Sequence, residues 1–197
     1  MHICFFDKNK EWCKCILDIF GTHPEYKTSL LKVFTDYHFM TNKLTGKNIA
    51  DKKLPTPAFF VSPANSYGRM DGGLDNAYMV MEFEVEKQAT DYVKQLPHRD
   101  EEGRPYNPVG NAFIIPFLNC HYCVSAPTMQ YIGTNVSETQ NAYLATKAVL
   151  TVLEKENYLK SPGTLWMPGM GTMVGQMPYH ISAQQVLSAI HDFAQQY

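Results

Sequence analysis

The chain has 197 residues, of which 45% are hydrophobic and 18% charged, and its formal net charge is −2. This length fits one compact domain with a substantial core, and the composition excludes a disordered chain. The near-neutral charge gives no sign of direct nucleic-acid binding, and no apolar run is long enough to span a membrane. The N-terminal segment also lacks the basic and apolar regions of a secretion signal.

Cysteine usage indicates the cellular compartment. An odd number of cysteines, five, without a secretion signal favours the reducing cytoplasm over a disulfide framework. Four of them could supply thiolates to zinc, but their spacing does not match a paired-knuckle site; they are Cys13, Cys15, Cys120 and Cys123. We therefore expect ordinary buried thiols, and we predict neither a bound metal nor a cofactor.

Hydrophobic periodicity in the first half of the chain predicts alternating strands and helices. Short apolar runs indicate buried strands, and apolar residues at helical spacing indicate helices. The predicted elements are a strand at 2–6, a helix from Trp12 to Phe20 ending near Gly21, a strand at 30–35, an extended segment at 47–49, a strand at 58–61 and a helix from Leu74 to Val85.

The second half follows the same alternation after a polar loop at 97–108. Its predicted elements are extended segments at 110–118 and 122–126, a helix at 138–156, a strand at 164–167 and a helix that begins at a Ser182–Gln185 capping box. Alternation over the whole length predicts one α/β domain, residues 1–197, with a mostly parallel sheet covered on both faces.

Six of the twelve glycines lie in two loops, each of which follows a short apolar strand and leads to a helix. Ligands of open α/β sheets bind at that edge, and consecutive backbone N–H groups in glycine loops form anion sites. The pair predicts a ligand with more than one phosphate or a long, dinucleotide-like ligand, although either loop alone is equally consistent with a tight turn. The glycines are Gly68, Gly72, Gly73, Gly169, Gly171 and Gly175.

Neither loop matches a P-loop or a dinucleotide-binding fingerprint, which argues against an NTPase and a dehydrogenase. Asp75 follows the first loop within the predicted first helical turn, where the helix dipole should keep its carboxylate ionised. Such a carboxylate either orients a sugar hydroxyl or a water, or is simply a helix N-terminal charge.

Two motifs carry a resemblance to a known family. Residues 61–75, VSPANSYGRMDGGLD, resemble the first ligand loop of macro domains, V-N-A-A-N-x-x-x-x-G-G-G-G-V-D, without a gap. Residues 168–175, PGMGTMVG, are similar to their second loop, P-x-x-G-T-G-x-G. Segments 126–129 and 139–145 resemble a bacterial and phage macro-like subfamily with S-P-A-N-S-x-G-x-M-D-G-G-[IL]-D, so the resemblance spans nearly the whole chain.

The resemblance implies a three-layer α/β/α fold with a mixed, mostly parallel sheet and a cleft that binds ADP-ribose. It implies that Asn65 contacts the distal ribose, that Asp75 helps to position the attacking water in a hydrolase, and that Asp51 accepts a hydrogen bond from adenine. The ligand-binding residues it implies are Asp51, Ser62, Ala64, Asn65, Ser66, Gly72, Gly73, Leu74, Pro168, Gly169, Gly171, Thr172, Met173, Val174 and Gly175.

The chain departs from the family pattern at Ser62, at Met70–Asp71 and at Met173, where the larger side chains should narrow the distal-ribose end. Two functions follow from the resemblance. One is hydrolysis of ADP-ribose linkages, either as a mono-ADP-ribosyl hydrolase or on a related ADP-ribose ester, with water held by Asn65 and Asp75. The other is a non-catalytic reader or sequestering protein for ADP-ribose or another NAD-derived nucleotide; a cleft that has lost its ligand is the third possibility. The expected partner is ADP-ribose or an ADP-ribosylated macromolecule, and a monomer is the default.

Overall fold

A computed structural model describes residues 1–197, apart from the side chains of residues 50 and 51. Its six-stranded sheet has the order β2-β1-β6-β3-β5-β4, in which only β4 runs antiparallel to its neighbour. The strands are β1 (His2–Phe6), β2 (Asp36–Met40), β3 (Ala58–Ser62), β4 (Phe113–Phe117), β5 (His121–Ser125) and β6 (Thr164–Pro168). The helices are α1 (Lys10–Thr22), α2 (Pro24–Val33), α3 (Gly46–Lys52), α4 (Gly73–Met81), α5 (Val85–Gln95), α6 (Asn141–Lys155) and α7 (Tyr179–Ala194).

Helices cover both faces of this sheet, as the alternation predicts. Successive strand residues point to opposite faces, so Ile3 packs in one core and Cys4 in the other. The first core joins the sheet to α1, α2, α6 and α7, and the second joins it to α4 and α5. The predicted three-layer α/β/α architecture with a mixed, mostly parallel sheet is confirmed. No helix among the described residues combines the length and apolar character needed to cross a membrane.

Two predicted extended segments are wrong. Residues 30–33 end helix α2, which begins with Pro24 at its first position and places Leu30 in the core. Residues 47–49 lie in α3. The second strand is instead β2, an edge strand that is buried fully only at Met40.

Two predicted helix boundaries are also wrong. The helix expected from Leu74 to Val85 is two helices, since α4 ends at Met81 and α5 begins at Val85. The last helix begins at Tyr179 rather than at a Ser182 cap. Ser182 is buried and works as a link, because its Oγ accepts from Trp12 Nε1 at 3.1 Å and donates to the Met170 carbonyl at 2.7 Å.

Gly163, just before β6, should tolerate no side chain. Its φ is +150°, and a Cβ there would lie 2.8 Å from the backbone oxygen of Pro57. We expect Gly163→Ala to lower the free energy of unfolding by about 3 kcal/mol, because both the backbone strain and the contact are unfavourable. Urea unfolding measures this loss. Gly21→Ala is the control, since it lies within α1 with open space around it and should not destabilise the protein.

Candidate ligand-binding cleft

The two glycine loops border one cleft at the carboxyl ends of the parallel strands. The cleft has a volume of about 500 Å³. The first loop follows β3 and leads into α4, and the second follows β6. The expectation that both loops face a common crevice is confirmed, because Gly72 and Gly73 line it together with Gly169 and Gly171.

The side chain of Asn65 holds the first loop in shape. Its Oδ1 accepts hydrogen bonds from the backbone N–H groups of Tyr67 at 3.0 Å and Arg69 at 3.3 Å, and its Nδ2 donates to the Arg69 carbonyl at 2.6 Å. The carboxylate of Glu86, from α5, accepts from the backbone N–H of Met70 at 2.7 Å. Asn65 also lines the cleft, and its amide retains one N–H for a ligand.

A second network fixes Tyr67 of the same loop. The Tyr67 hydroxyl donates to Asp100 at 2.6 Å, and Asp100 also accepts from Arg104 Nε at 2.8 Å. The Arg104 guanidinium lies over the rings of both Tyr67 and Tyr131, at 5.2 and 5.7 Å from their centroids. Part of the polar loop at 97–108 is therefore a support for the first glycine loop rather than a solvated segment.

Glycine is required in this loop at Gly68, where φ is +72° and a Cβ would lie 3.1 Å from the backbone of Ala89. Helix α4 begins at Gly73 with Gly72 as its N-cap, and no side chain caps it. The first N–H groups of a helix have no acceptor within the helix. Because Gly72, Gly73 and Leu74 line the cleft, these N–H groups are available as donors to an anionic ligand.

Asp75 lines the cleft but is only 8% exposed. Burial raises the pKa of its carboxyl from 3.8 to about 7; the hydrogen bond from Ser62 opposes this rise, whereas the carboxylates of Asp71 and Glu86 add to it. The Ser62 hydroxyl donates to Asp75 Oδ1 at 2.6 Å. The expectation that Asp75 is kept fully ionised is wrong, because burial raises the pKa of its carboxyl to about 7. A carboxyl with this pKa can take up a proton at neutral pH.

The raised pKa of Asp75 makes stability depend on pH. Between pH 4 and 7 the folded state binds more protons at this carboxyl than the unfolded state. The stability that Asp75 contributes therefore falls as the pH rises through this range, and it levels off above the folded pKa of about 7. Relative to wild type, Asp75→Asn should therefore gain stability between pH 4 and pH 8, by up to about 4 kcal/mol. Urea unfolding of both proteins across this range measures the difference, and a difference independent of pH would contradict the burial argument.

The second loop turns tightly through one 3₁₀ turn at Met173–Gly175. Gly171 has φ +70° and Met173 has φ +53°. The loop is closed by hydrogen bonds from Gly175 N–H to the Thr172 carbonyl and from Met177 N–H to the Gly171 carbonyl, both at 3.1 Å. Within the described part of the chain, the N–H groups from Gly171 to Val174 donate to no backbone acceptor outside the 3₁₀ turn, so they are available as a second set of donors for an anion.

The departures from the family pattern have different effects on the cleft. Met70 is 2% exposed and packs in the core between the sheet and α5, so it does not narrow the cleft as expected. Asp71 and Met173 do line the cleft. Met173 is half exposed, and its sulfur accepts a hydrogen bond from the Tyr179 hydroxyl at 3.2 Å.

Comparison with known proteins gives one relative by sequence and several by structure. No protein-family model matches the chain. An uncharacterized protein of Aquifex aeolicus is 30% identical over 135 residues, which cover 68% of this chain and 72% of that protein, and the two belong to one family.

The macrodomain of Mycobacterium tuberculosis DarG matches with a TM-score of 0.54 at 16% identity, over 68% of this chain and 82% of that one. A mutant macrodomain of Oceanobacillus iheyensis with ADPR matches with a TM-score of 0.57 at 18% identity, over 74% and 75%.

This chain has the macrodomain fold. Eleven of the predicted site residues line the cleft; they are Asn65, Gly72, Gly73, Leu74, Asp75, Pro168, Gly169, Gly171, Thr172, Met173 and Val174. Four do not line it: Ser62, Ala64, Ser66 and Gly175. Ser62 acts through Asp75, and Ser66 Oγ donates to the Met129 carbonyl beneath the loop. The side chain of Asp51, the predicted adenine contact, lies outside the described residues.

Sequence reasoning missed one carboxylate that lines the cleft, Asp7. It follows β1, its Oδ1 accepts from the Asn9 N–H at 2.9 Å, and burial raises its pKa. A Cβ on Gly169 would lie 2.8 Å from Asp7 Oδ2, so this carboxylate lies directly against the second loop. The same signal that located the glycine loops, the carboxyl end of a parallel strand, could have found it. Other lining residues outside the predicted set include Lys8, Asn42, Lys43, Leu44, Thr128, Met129 and Ile132.

Three of the five cysteines are buried, as expected for most of them. Cys4, Cys13 and Cys123 are buried, whereas Cys120 is exposed. Burial raises the pKa values of Cys4 and Cys13 to about 12, so both stay protonated and unreactive at neutral pH.

Proposed function

We propose that this macrodomain binds ADP-ribose in its cleft and hydrolyses ADP-ribose linkages, as a mono-ADP-ribosyl hydrolase or on a related ADP-ribose ester. The observation that carries the proposal is the pair of loops whose backbone N–H groups border one cleft of about 500 Å³. The ADPR named with the solved O. iheyensis macrodomain gives independent support through the shared fold.

The diphosphate is held by backbone groups. The N–H groups of Gly72, Gly73 and Leu74 serve one phosphate, and those of the second loop, 171–174, serve the other. The charged side chains around the cleft balance, because three cations face three carboxyl groups; they are Lys8, Lys43, Arg69, Asp7, Asp71 and Asp75. Backbone N–H groups that donate to the phosphates, and not a basic surface, therefore provide the affinity for an anion.

The residues at the two ends of the cleft differ in chemistry. Asp7 is an acceptor for an amino group or a ribose hydroxyl next to the second loop, and Phe6, Leu44 and Ile132 offer apolar surface to a base. The role of Asp51 toward adenine is retained as part of the proposal. Asn65 keeps one amide N–H for the distal ribose or for a water beside it.

Hydrolysis uses Asp75 as the general base. A water held between Asn65 and Asp75 attacks the anomeric carbon of the distal ribose while the bond to the acceptor oxygen breaks. Asp75 takes the proton of this water, and the acceptor leaves as a carboxylate or is protonated by solvent. A carboxyl with a pKa of about 7 is matched to this step at neutral pH.

One observation favours the reader or sequestering alternative. The side chain of Asn65 is engaged with the loop backbone, and Ser62 occupies one oxygen of Asp75, so few polar atoms are left to hold a water. Incubation with an ADP-ribosylated protein and with ADP-ribosylated DNA, followed by measurement of released ADP-ribose, separates the two functions. A hydrolase releases ADP-ribose with turnover, whereas a reader binds it and releases none.

A further inference from the structure

A second cluster of ligand-type side chains lies at the opposite end of the sheet. His2 begins β1, and Asp36 and His38 lie on the neighbouring strand β2. The parallel register pairs His2 with Asp36 and Cys4 with His38. Because alternate strand residues share a face, all three side chains lie on one face of the two strands. The four-residue rise of β1 separates them from the cleft by about 13 Å.

The distances within this cluster match a metal site. His2 Nδ1 lies 3.4 Å from His38 Nε2, and His38 Nε2 lies 3.3 Å from Asp36 Oδ2. The three ligand atoms all lie within 4.8 Å of one another. Around a tetrahedral zinc ion with bonds of about 2.0–2.1 Å, neighbouring ligand atoms are about 3.3 Å apart. Two of the three separations therefore have the spacing that one small cation needs, and the third, between His2 and Asp36, is at most 4.8 Å.

Hydrogen bonding satisfies these contacts only by sharing one group. A ring nitrogen holds either one proton or one lone pair. If His38 Nε2 is protonated, its single N–H is shared between His2 Nδ1 and Asp36 Oδ2; if it is not, it accepts from His2 and its lone pair faces the carboxylate. A cation between the three atoms would use all three lone pairs at once.

The backbone holds the cluster in place, and the side chains leave it accessible. The His2 N–H donates to the Gly163 carbonyl at 2.8 Å, and Thr35 donates to the Met1 carbonyl through both its N–H and its hydroxyl. Ligands on strands are held more precisely than ligands on loops. The side chains of His38 and Asp36 are 32% and 52% exposed, so an ion can enter and a water can complete its coordination.

We propose that His2, Asp36 and His38 bind one first-row divalent transition metal, with zinc as the ion that two imidazoles and one carboxylate suit best. The ion joins the edge strand β2 to β1. Strand β2 leads directly to Asn42, Lys43 and Leu44 in the cleft wall, so the ion stabilises the element that carries them. This site is independent of the proposed ADP-ribose chemistry.

The test uses untagged protein that has been stripped of metal with a chelator. Titration with Co²⁺ should give the visible absorption of a tetrahedral ion and saturate at one equivalent. Zn²⁺ should displace the Co²⁺ and raise Tm by about 5 °C. Both signals should disappear in His38→Ala and in Asp36→Asn; Asp36 is too exposed for its substitution to unfold the protein.

His23→Ala is the matched control, because His23 also lies beside a carboxylate, Glu25 at 3.2 Å, but has no second imidazole. This variant should bind Co²⁺ and Zn²⁺ as wild type does. The proposal is overturned if no stoichiometric Co²⁺ binding occurs, or if the Co²⁺ spectrum and the Tm shift persist in both His38→Ala and Asp36→Asn.

Discussion

Asp75→Asn should lower the rate of ADP-ribose release by about 100-fold or more while leaving ADP-ribose affinity within a few-fold of wild type. Asparagine has nearly the shape of aspartate and can still accept the hydrogen bond from Ser62, but it cannot take a proton from water. General-base catalysis contributes about 10² to 10⁴ to a rate, so its loss should be of this size. Single-turnover release from an ADP-ribosylated protein measures the effect.

The pH profile gives the same prediction an independent readout. Because the Asp75 carboxyl must be ionised to act as a base, the rate of wild-type release should rise with pH and level off above its pKa of about 7. The profile of Asp75→Asn should be flat in this range. Asp71→Asn is the control, since it removes a negative charge from the same loop at a half-exposed position but leaves the base in place. Its profile should still rise and level off, with the midpoint at lower pH because the Asp71 carboxylate no longer raises the pKa of Asp75. Unchanged turnover in Asp75→Asn would remove Asp75 from the mechanism.

Gly171→Ala should weaken ADP-ribose binding by about tenfold or more. The φ of Gly171 is +70°, and a Cβ there would lie 3.3 Å from Val136 Cγ2; we expect the strained backbone and this contact together to shift the second loop. Such a movement misplaces the N–H groups from Gly171 to Val174, and affinity built on aimed donors is sensitive to their direction. Calorimetric titration of the variant with ADP-ribose measures the loss.

Backbone strain alone should not produce this loss, and Gly110→Ala tests that. Gly110 has φ +92° with only an ordinary contact at its Cβ position, 3.9 Å from Leu144 Cβ, and it does not line the cleft. The positive φ should cost each variant about 1 kcal/mol of stability, and the Val136 contact adds to the loss in Gly171→Ala. Only Gly171→Ala should lose affinity; equal affinity in both variants would show that the second loop does not hold the ligand.

Much of the fold can be predicted from the sequence because its central strands are short apolar runs. The runs that contain β1, β3 and β6 are hydrophobic on both sides, since helices cover both faces of the sheet. The edge strand β2 lacks this signal, because only Met40 of its five residues is buried. The apolar run at 30–35 is misleading, since its hydrophobic residues come from the end of helix α2 and the turn after it.

The position of the candidate site was predictable from the sequence, but the chemistry of its residues was not. The glycines and the sequence around Asp75 locate both loops, because tight turns at strand ends require them. The pKa of Asp75 was not predictable, since it depends on how deeply α4 packs the carboxyl against Ser62. The wall at Asn42–Leu44 was missed together with β2, whose end it follows.

Calorimetric titration of the purified protein with ADP-ribose tests the central claim most directly. We expect one ADP-ribose per chain, with AMP bound at least about tenfold more weakly because it offers one phosphate to a cleft with two sets of N–H donors. Heat that saturates at this stoichiometry, with that order of affinities, is the predicted result. Absence of binding heat at millimolar ADP-ribose, or equal affinity for AMP, would contradict a cleft built for a diphosphate.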